Sequence, residues 1–237
     1  MDQSVSAPPA PPRRGAAAAR RRIRTQEILA ATRALFDERG VRDAQIEDIA
    51  RAVGINRAIV YRHFSGKEEL FALTLVGYLD ELRDLLETAR ARPGTCSERL
   101  VALVGTFADF GIEHPAFVDC AQSLMGRTGP ELLDEVSEET ALKLGRAISG
   151  CLVLLTSVLD EGLTRGEFSV TDPHVLANTL YASALGALQL ARVGILVREL
   201  APGTPATAQI SGQQVKEFLV SSALALAQHG MASLPEG

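Results

Sequence analysis

The chain has 237 residues, of which 46% are hydrophobic and 22% are charged, a composition typical of soluble globular proteins and unlike that of disordered or membrane proteins. Aromatic residues make up 5% and Trp is absent, so a core rich in Ala and Leu is expected, and these residues favour helices. The net charge of -5 is unevenly distributed, because residues 1–70 carry 13 Arg and Lys against 9 Asp and Glu; only this end suits nucleic-acid phosphates.

Residues 1–22 are rich in Pro, Ala and Arg and offer too little apolar surface to fold alone, so we predict a flexible basic arm. Its arginines either contact DNA or are solvated. The start lacks the pattern of a secretory signal, and the apolar runs at 148–159 and 175–191 are shorter than a membrane span. We therefore expect a cytoplasmic protein without a membrane partner.

The first helical pattern begins at Thr25 and ends near Gly40. Ile46, Ile49, Ala50 and Val53 mark a short second helix, and Gly54 supplies a turn. Asn56 caps a third helix that runs to about Phe64. Two short helices around a glycine are typical of a helix-turn-helix, although the same spacing occurs in proteins that do not bind DNA.

Six further helices are predicted from apolar periodicity and from a hydroxyl followed three residues later by Glu or Gln, a pattern that caps helix starts. The capping pairs are Ser65 with Glu68, Thr95 with Glu98, Thr128 with Glu131, and Ser211 with Gln214. The predicted ranges are 66–91, 96–113, 115–125, 130–165, 172–199 and 211–229. The expected fold is all-α, with about nine helices and no strands.

Cys96, Cys120 and Cys151 are odd in number and lack the paired spacing of zinc or redox sites, so we expect reduced thiols, with no metal, cofactor or catalytic residue. A helical enzyme is an alternative with little support, because no nucleophile elbow, metal-binding helix or phosphate loop is present. Its candidate residues would be Cys120, His114, Asp134, Glu135, Glu138 and Glu139.

The segment GINRAIVYRHFSGKEEL, within residues 26–75, resembles the DNA-binding head of TetR-family regulators. The resemblance implies a homodimeric, ligand-responsive regulator that binds double-stranded DNA at a palindromic operator, usually as a repressor. It also implies four regions: the arm 1–22, a helix-turn-helix domain 23–68, a ligand-binding and dimerisation domain 69–230, and a flexible tail 231–237. A constitutive DNA-binding or protein-interaction module without an effector is the alternative within the same fold.

Carried over by position, the resemblance assigns DNA contacts to the recognition helix and its flanks. Tyr61, His63 and Lys67 match phosphate contacts, and Arg57 has the donors to read guanine. The full set of predicted DNA-binding residues is Gln45, Asn56, Arg57, Ala58, Ile59, Tyr61, Arg62, His63 and Lys67.

Three positions depart from the family's pattern. Gln45 stands where a capping Thr is usual, and Ile59 stands where a small hydroxyl residue is common; Ile59 either contacts a thymine methyl or has no DNA role. Glu47 lies on a face that often meets DNA, where it either accepts a bond from cytosine or is a solvated acid. The operator sequence does not follow from these residues.

The resemblance places the dimer contact on the last two helices, although packing within one chain explains the pattern equally well. The residues of this predicted contact are Leu180, Ala184, Gly186, Ala187, Leu190, Phe218, Leu219, Ala223 and Leu226. It places an apolar effector, such as a lipid or acyl compound, in the body. The candidate pocket residues, which ordinary core packing also explains, are Phe107, Phe110, Phe117, Leu124, Met125, Leu152, Leu155 and Tyr181.

Overall fold

The computed structural model describes residues 13–41 and 43–229. Within them the chain forms ten helices and one hairpin of two antiparallel strands. In chain order the elements are α1 (Arg13–Arg39), α2 (Ile46–Val53), α3 (Arg57–His63), α4 (Lys67–Arg90), α5 (Cys96–Glu113), α6 (Pro115–Met125), α7 (Gly129–Glu135), α8 (Glu138–Thr164), α9 (Pro173–Val193), β1 (Ile195–Ala201), β2 (Thr204–Gln209) and α10 (Gly212–His229).

Helices α1, α2 and α3 pack together as a small N-terminal head. The sharp bend between α2 and α3 occurs at Gly54, whose φ of 70° is rarely adopted by other residues and whose N–H bonds to the last carbonyls of α2. Ile49, Val60 and Phe64 are buried between the two helices and α1. Helix α3 is thus held against α1 and α2 by an apolar junction.

Helix α4 joins the head to the body. Phe71 meets Phe36 of α1 edge-on at 5.1 Å between ring centroids. The Tyr78 hydroxyl donates a hydrogen bond to Asp37 at 2.6 Å, and the Arg33 guanidinium lies 4.2 Å above the Tyr78 ring. Helices α1 and α4 therefore share both apolar and polar contacts, which tie the head to the body.

The body is built around the packing of α4 on α8 and α5, with α10 packed on α5 and α9. Its core is dominated by Leu, including Leu79, Leu82 and Leu100. Helix α8 is long and apolar enough to cross a membrane by length and composition alone. It packs on α4, α5 and α9, and Leu154, Val158 and Leu159 are among its buried residues.

The structure corrects four sequence-based expectations. The arm is helical from residue 13, because its Ala and Arg residues are strong helix formers that extend α1; residues 1–12 and the predicted tail 231–237 lie outside the described residues. The helix expected at 130–165 is broken into α7 and α8, because Ser137 caps a new helix. The helix expected at 172–199 ends at Gly194, where the hairpin begins, so the expectation of no strands was wrong.

The fourth correction concerns the start of α4. Glu69, not Glu68, accepts the backbone N–H of Ser65 at 2.5 Å, because Gly66 is the residue that precedes the first turn. The other three predicted capping pairs are confirmed.

Candidate DNA-binding surface and ligand cavity

The recognition helix α3 presents most of the predicted DNA-binding residues to solvent. Asn56 caps it, with its side-chain oxygen accepting the Ile59 N–H at 3.0 Å. Ile59, His63 and Lys67 are half-buried, whereas the remaining predicted residues are exposed, namely Gln45, Asn56, Arg57, Ala58, Tyr61 and Arg62. Gln45 precedes α2 and makes no side-chain capping bond, which leaves its amide free for another partner.

In the DNA-free chain Arg57 is held by its own neighbours. Its guanidinium pairs with the Glu47 carboxylate at 2.7 Å and donates to the Tyr61 hydroxyl at 3.3 Å. These contacts with Tyr61 and Glu47 raise the pKa of Arg57. Glu47 is therefore not simply a solvated acid: it competes for the donors that would read a base.

His63 is tied to α1. Its Nδ1 lies 2.9 Å from the Thr25 hydroxyl, which itself donates to the Arg21 carbonyl, so we assign the imidazole proton to Nδ1. Burial, with the nearby charges of Arg21 and Arg24, lowers the pKa of His63. The neutral ring then offers DNA only the acceptor Nε2, and a bond to phosphate requires a second proton.

Lys67 is the first residue of α4, where free backbone N–H groups and the helix dipole favour an anion. Its ammonium lies 5.0 Å from the centroid of the Phe71 ring. This ring supports the lysine stem beside the recognition helix. The position suits a phosphate contact.

The buried carboxylate of Glu69 connects the first turn of α4 to the start of α8. Glu69 is 7% exposed and accepts bonds from the Ser137 hydroxyl at 2.5 Å and the Thr140 hydroxyl at 2.8 Å, besides the Ser65 N–H. Burial opposes ionisation of Glu69, but these hydrogen bonds outweigh it and lower its pKa to about 2. No local sequence pattern indicates this contact, because its partners lie 68 and 71 positions from Glu69.

The body encloses a cavity of about 70 Å³ between α4, α5, α8, α9 and α10. None of the side chains that line it is charged, and only the Tyr181 hydroxyl and the Cys151 thiol are polar. Burial raises the pKa of each to about 12, so both are neutral at pH 7. The Cys151 thiol already donates a hydrogen bond to the Leu79 carbonyl. The Tyr181 hydroxyl is therefore the group in the cavity lining that can donate a hydrogen bond to a ligand.

Of the eight predicted pocket residues, Phe107, Leu152, Leu155 and Tyr181 line this cavity. Phe110 and Phe117 form a buried layer behind it, Leu124 is buried in α6, and Met125 is 51% exposed. The sequence-based list missed the contribution of α4, whose Leu79, Leu82 and Leu86 recur at helical spacing. The other missed residues are Leu103, Val104, Ile148, Cys151, Leu180, Ala184 and Leu219.

The outward faces of α9 and α10 carry apolar and small residues. Gly186, Leu190 and Phe218 are exposed, as a contact with a second chain requires. The other residues predicted for that contact face inward. Leu180, Ala184 and Leu219 line the cavity, Ala223 is buried, and Ala187 and Leu226 are half-buried.

Comparison with known proteins gives a consistent set of relatives. Residues 28–74 match the family model described as bacterial regulatory proteins, tetR family. The transcriptional repressor KstR2 of Mycobacterium tuberculosis is 29% identical over 199 residues, covering 81% of this chain and 88% of the relative. KstR2 of Rhodococcus jostii is 30% identical over 145 residues, covering 61% and 68%.

Solved structures show the same fold. The ketosteroid transcriptional regulator KstR2 of M. tuberculosis matches 86% of this chain and 95% of its own, with a TM-score of 0.57 and 23% identity. The regulator FadR of Bacillus subtilis, solved in complex with stearoyl-CoA, matches 87% and 99%, with a TM-score of 0.59 and 17% identity.

Proposed function

This chain belongs to the TetR family of bacterial regulatory proteins, and we propose that it is a repressor that leaves a palindromic operator when a neutral lipophile enters the body cavity. Members of this family are DNA-binding transcriptional regulators that act as dimers and are not enzymes. We place this one in the cytoplasm, where its operator DNA is.

The DNA contact that we propose has two parts. Tyr61, Lys67 and, when protonated, His63 bind phosphates and position the head. Arg57, Ala58, Ile59 and Arg62 of α3 meet base edges, with Asn56 just before α3 and Gln45 just before α2 as flanking contacts. Because one short helix reads few base pairs, two heads about 34 Å apart supply the specificity.

The uncharged lining of the cavity is the observation that supports a neutral, apolar effector. A carboxylate or phosphate placed among these uncharged side chains would lose its hydration without gaining a partner. A neutral lipophile with one oxygen that accepts a bond from Tyr181 meets no such penalty. KstR2 is a ketosteroid regulator and FadR binds stearoyl-CoA; the uncharged lining favours a neutral ligand over an acyl thioester with its charged carrier inside the cavity.

The small size of the cavity explains how binding changes the head. A space of about 70 Å³ is well below the several hundred Å³ that ligand pockets usually offer, so a ligand must separate the surrounding helices. Leu82 is 15 residues beyond Lys67 on α4, or about 22 Å along the helix axis. Outward movement of α4 at the cavity therefore shifts the end of the helix that contacts phosphate.

Helix α8 makes a parallel connection. Its Leu152 and Leu155 line the cavity, and its first turn bonds to Glu69 near the head. A ligand that moves α8 therefore pulls on the start of α4.

The two alternatives fit the geometry less well. A body that binds no effector needs no ligand space, whereas this one contains an apolar cavity lined by several helices. An enzyme using Cys120 would need a thiolate, but Cys120 is fully buried and burial raises its pKa well above the usual range.

The DNA-binding proposal is tested by selecting bound fragments from genomic DNA and measuring their affinity at several salt concentrations. Lys67→Ala should weaken binding to all sequences and reduce the salt slope by about one unit, whereas Arg57→Ala should mainly relax base preference. Arg165→Ala removes an exposed arginine of the body and is the control. The assignment of α3 and α4 fails if all three variants bind the selected operator as the wild type does.

A further inference from the structure

We propose that the hairpin β1–β2 is a dimerisation arm, which packs its exposed apolar face against a second copy of this chain. The hairpin spans Ile195–Gln209 between α9 and α10. The inference rests on the dimer and is independent of the effector.

Exposed large hydrophobic residues are concentrated where the end of α9 continues into β1. Of the sixteen large hydrophobic residues that are exposed, five fall within the eleven residues from 190 to 200. Val197 is 81% exposed and Leu200 is 78% exposed, the two highest values in this set. Contiguous apolar surface of this kind marks an interaction site. The five residues are Leu190, Val193, Ile195, Val197 and Leu200.

One face of the hairpin is directed away from the body. Val197 pairs with Thr207, and Ile195 pairs with Gln209, so these four side chains share a face, and all four are exposed. Leu196, Ala206 and Ala208 lie on the opposite, half-buried face. The outer face therefore carries no charge at these four positions.

Glu199, which pairs with Pro205, continues this face toward the turn and is its acidic residue. The Glu199 carboxylate accepts the Gly203 N–H at 2.5 Å, within the turn of the hairpin. One neutral donor does not replace the hydration of a carboxylate, so Glu199 stays at the solvated rim of the contact while Val197 is covered.

The second copy is the occupant that this placement favours. Exposed Leu190 and Val193 on the last turn of α9 continue directly into Ile195 and Val197, and exposed Phe218 lies on α10, which follows the hairpin. A dimer that uses the outward faces of α9 and α10 therefore brings the hairpin to its edge. An isolated two-stranded hairpin is only marginally stable in water, so cover by the other copy also stabilises the strands.

The test is the dimer dissociation constant of the full chain, measured by sedimentation equilibrium. The double variant Val197→Glu, Leu200→Glu places two carboxylates in the contact and should raise this constant by at least about tenfold. Both side chains are exposed, so the circular-dichroism spectrum should stay helical. Leu142→Glu, at a residue of α8 that is 53% exposed, is the matched control and should leave the constant unchanged.

An unchanged dissociation constant in the double variant would overturn the inference. If that variant does not fold, the milder double variant Val197→Ser, Leu200→Ser replaces it in the same measurement. A dimer of this variant as tight as that of the wild type would also contradict the inference. Operator binding should return to the wild-type level once the protein concentration exceeds the raised constant. If binding stays weak in the assembled dimer, the hairpin acts on DNA and not on dimerisation.

Discussion

The side chain of Arg57 is held in place by contacts within the head in the absence of DNA. Its contacts with Glu47 and Tyr61 keep the guanidinium over α2 and α3, so reading a guanine requires exchange of one acceptor for another. The contact with Glu47 therefore lowers the net gain from binding while keeping the side chain ordered.

Replacement of Glu47 should strengthen DNA binding. Glu47→Gln removes a negative charge that faces DNA and frees Arg57, so we expect affinity to rise by roughly 3- to 10-fold and the salt slope to steepen by up to about one unit. Fluorescence anisotropy with labelled operator measures both. Glu81→Gln, at an exposed acid of α4 that pairs with Arg33, is the control for general charge, and an equal gain there would show that Arg57 is not involved.

His63 should make operator binding depend on pH. Burial and two nearby arginines lower its pKa, so it is largely neutral at pH 7 and gains a proton as the pH falls. Phosphate stabilises the protonated ring, so affinity should increase as the pH falls through and below the ordinary histidine pKa of 6.5. The His63→Gln variant should lose this increase; a slope that persists in that variant would assign the effect to another group.

At the scale of elements, the contact between α4 and α8 depends on one carboxylate. Glu69 accepts three hydrogen bonds in a buried position, and its removal leaves those donors without their acceptor. We expect Glu69→Ala to lower the free energy of unfolding by about 1–3 kcal/mol at pH 7. Glu81→Ala, which breaks an exposed pair, should cost less than about 1 kcal/mol.

The pH dependence of this effect has a definite sign. Because the pKa of Glu69 is lowered to about 2 in the folded chain from an unfolded value near 4.5, its contribution is full above pH 4.5 and is lost as the pH falls toward 2. Thermal unfolding at pH 7, 4 and 3 should therefore show the wild type and Glu69→Ala converging. A constant gap between their melting temperatures would exclude ionised Glu69 as the source of the stability.

The sequence predicted some elements well because their signals are local. The turn at Gly54, the cap at Asn56 and the capping pair at Thr95 each depend on a few adjacent residues, and the bounds of α5 and α6 are as predicted. The hairpin was missed because its apolar residues continue the pattern of α9. A β-branched pair at Ile195 and Val197, after Gly194 and before a Pro-Gly turn, was the available signal.

The cavity and the Glu69 contact could not be predicted in the same way. Leu124 and Leu155 are both apolar residues on helices, but only the packing of separate helices decides that Leu155 borders empty space while Leu124 is buried elsewhere. Likewise, nothing near Glu69 in the sequence identifies Ser137 and Thr140 as its partners. These features depend on tertiary packing between distant segments.

For the molecule as a whole, the head and the cavity are two sites connected by α4 and α8. A ligand changes DNA affinity only if it binds the DNA-free arrangement more tightly, and the reverse effect must have the same size. A cavity that must enlarge to accept its ligand provides this difference, because the helices that move include the one that carries Lys67.

The most direct test is the operator affinity of the dimer during titration with a neutral lipophile such as a steroid ketone. The wild type should lose operator affinity by about 5- to 150-fold, which corresponds to a coupling of about 1–3 kcal/mol. Leu155→Trp, which fills the cavity, should bind the operator normally and resist release. If a panel of neutral lipophiles leaves wild-type affinity unchanged, or releases Leu155→Trp equally well, the cavity is not the effector site.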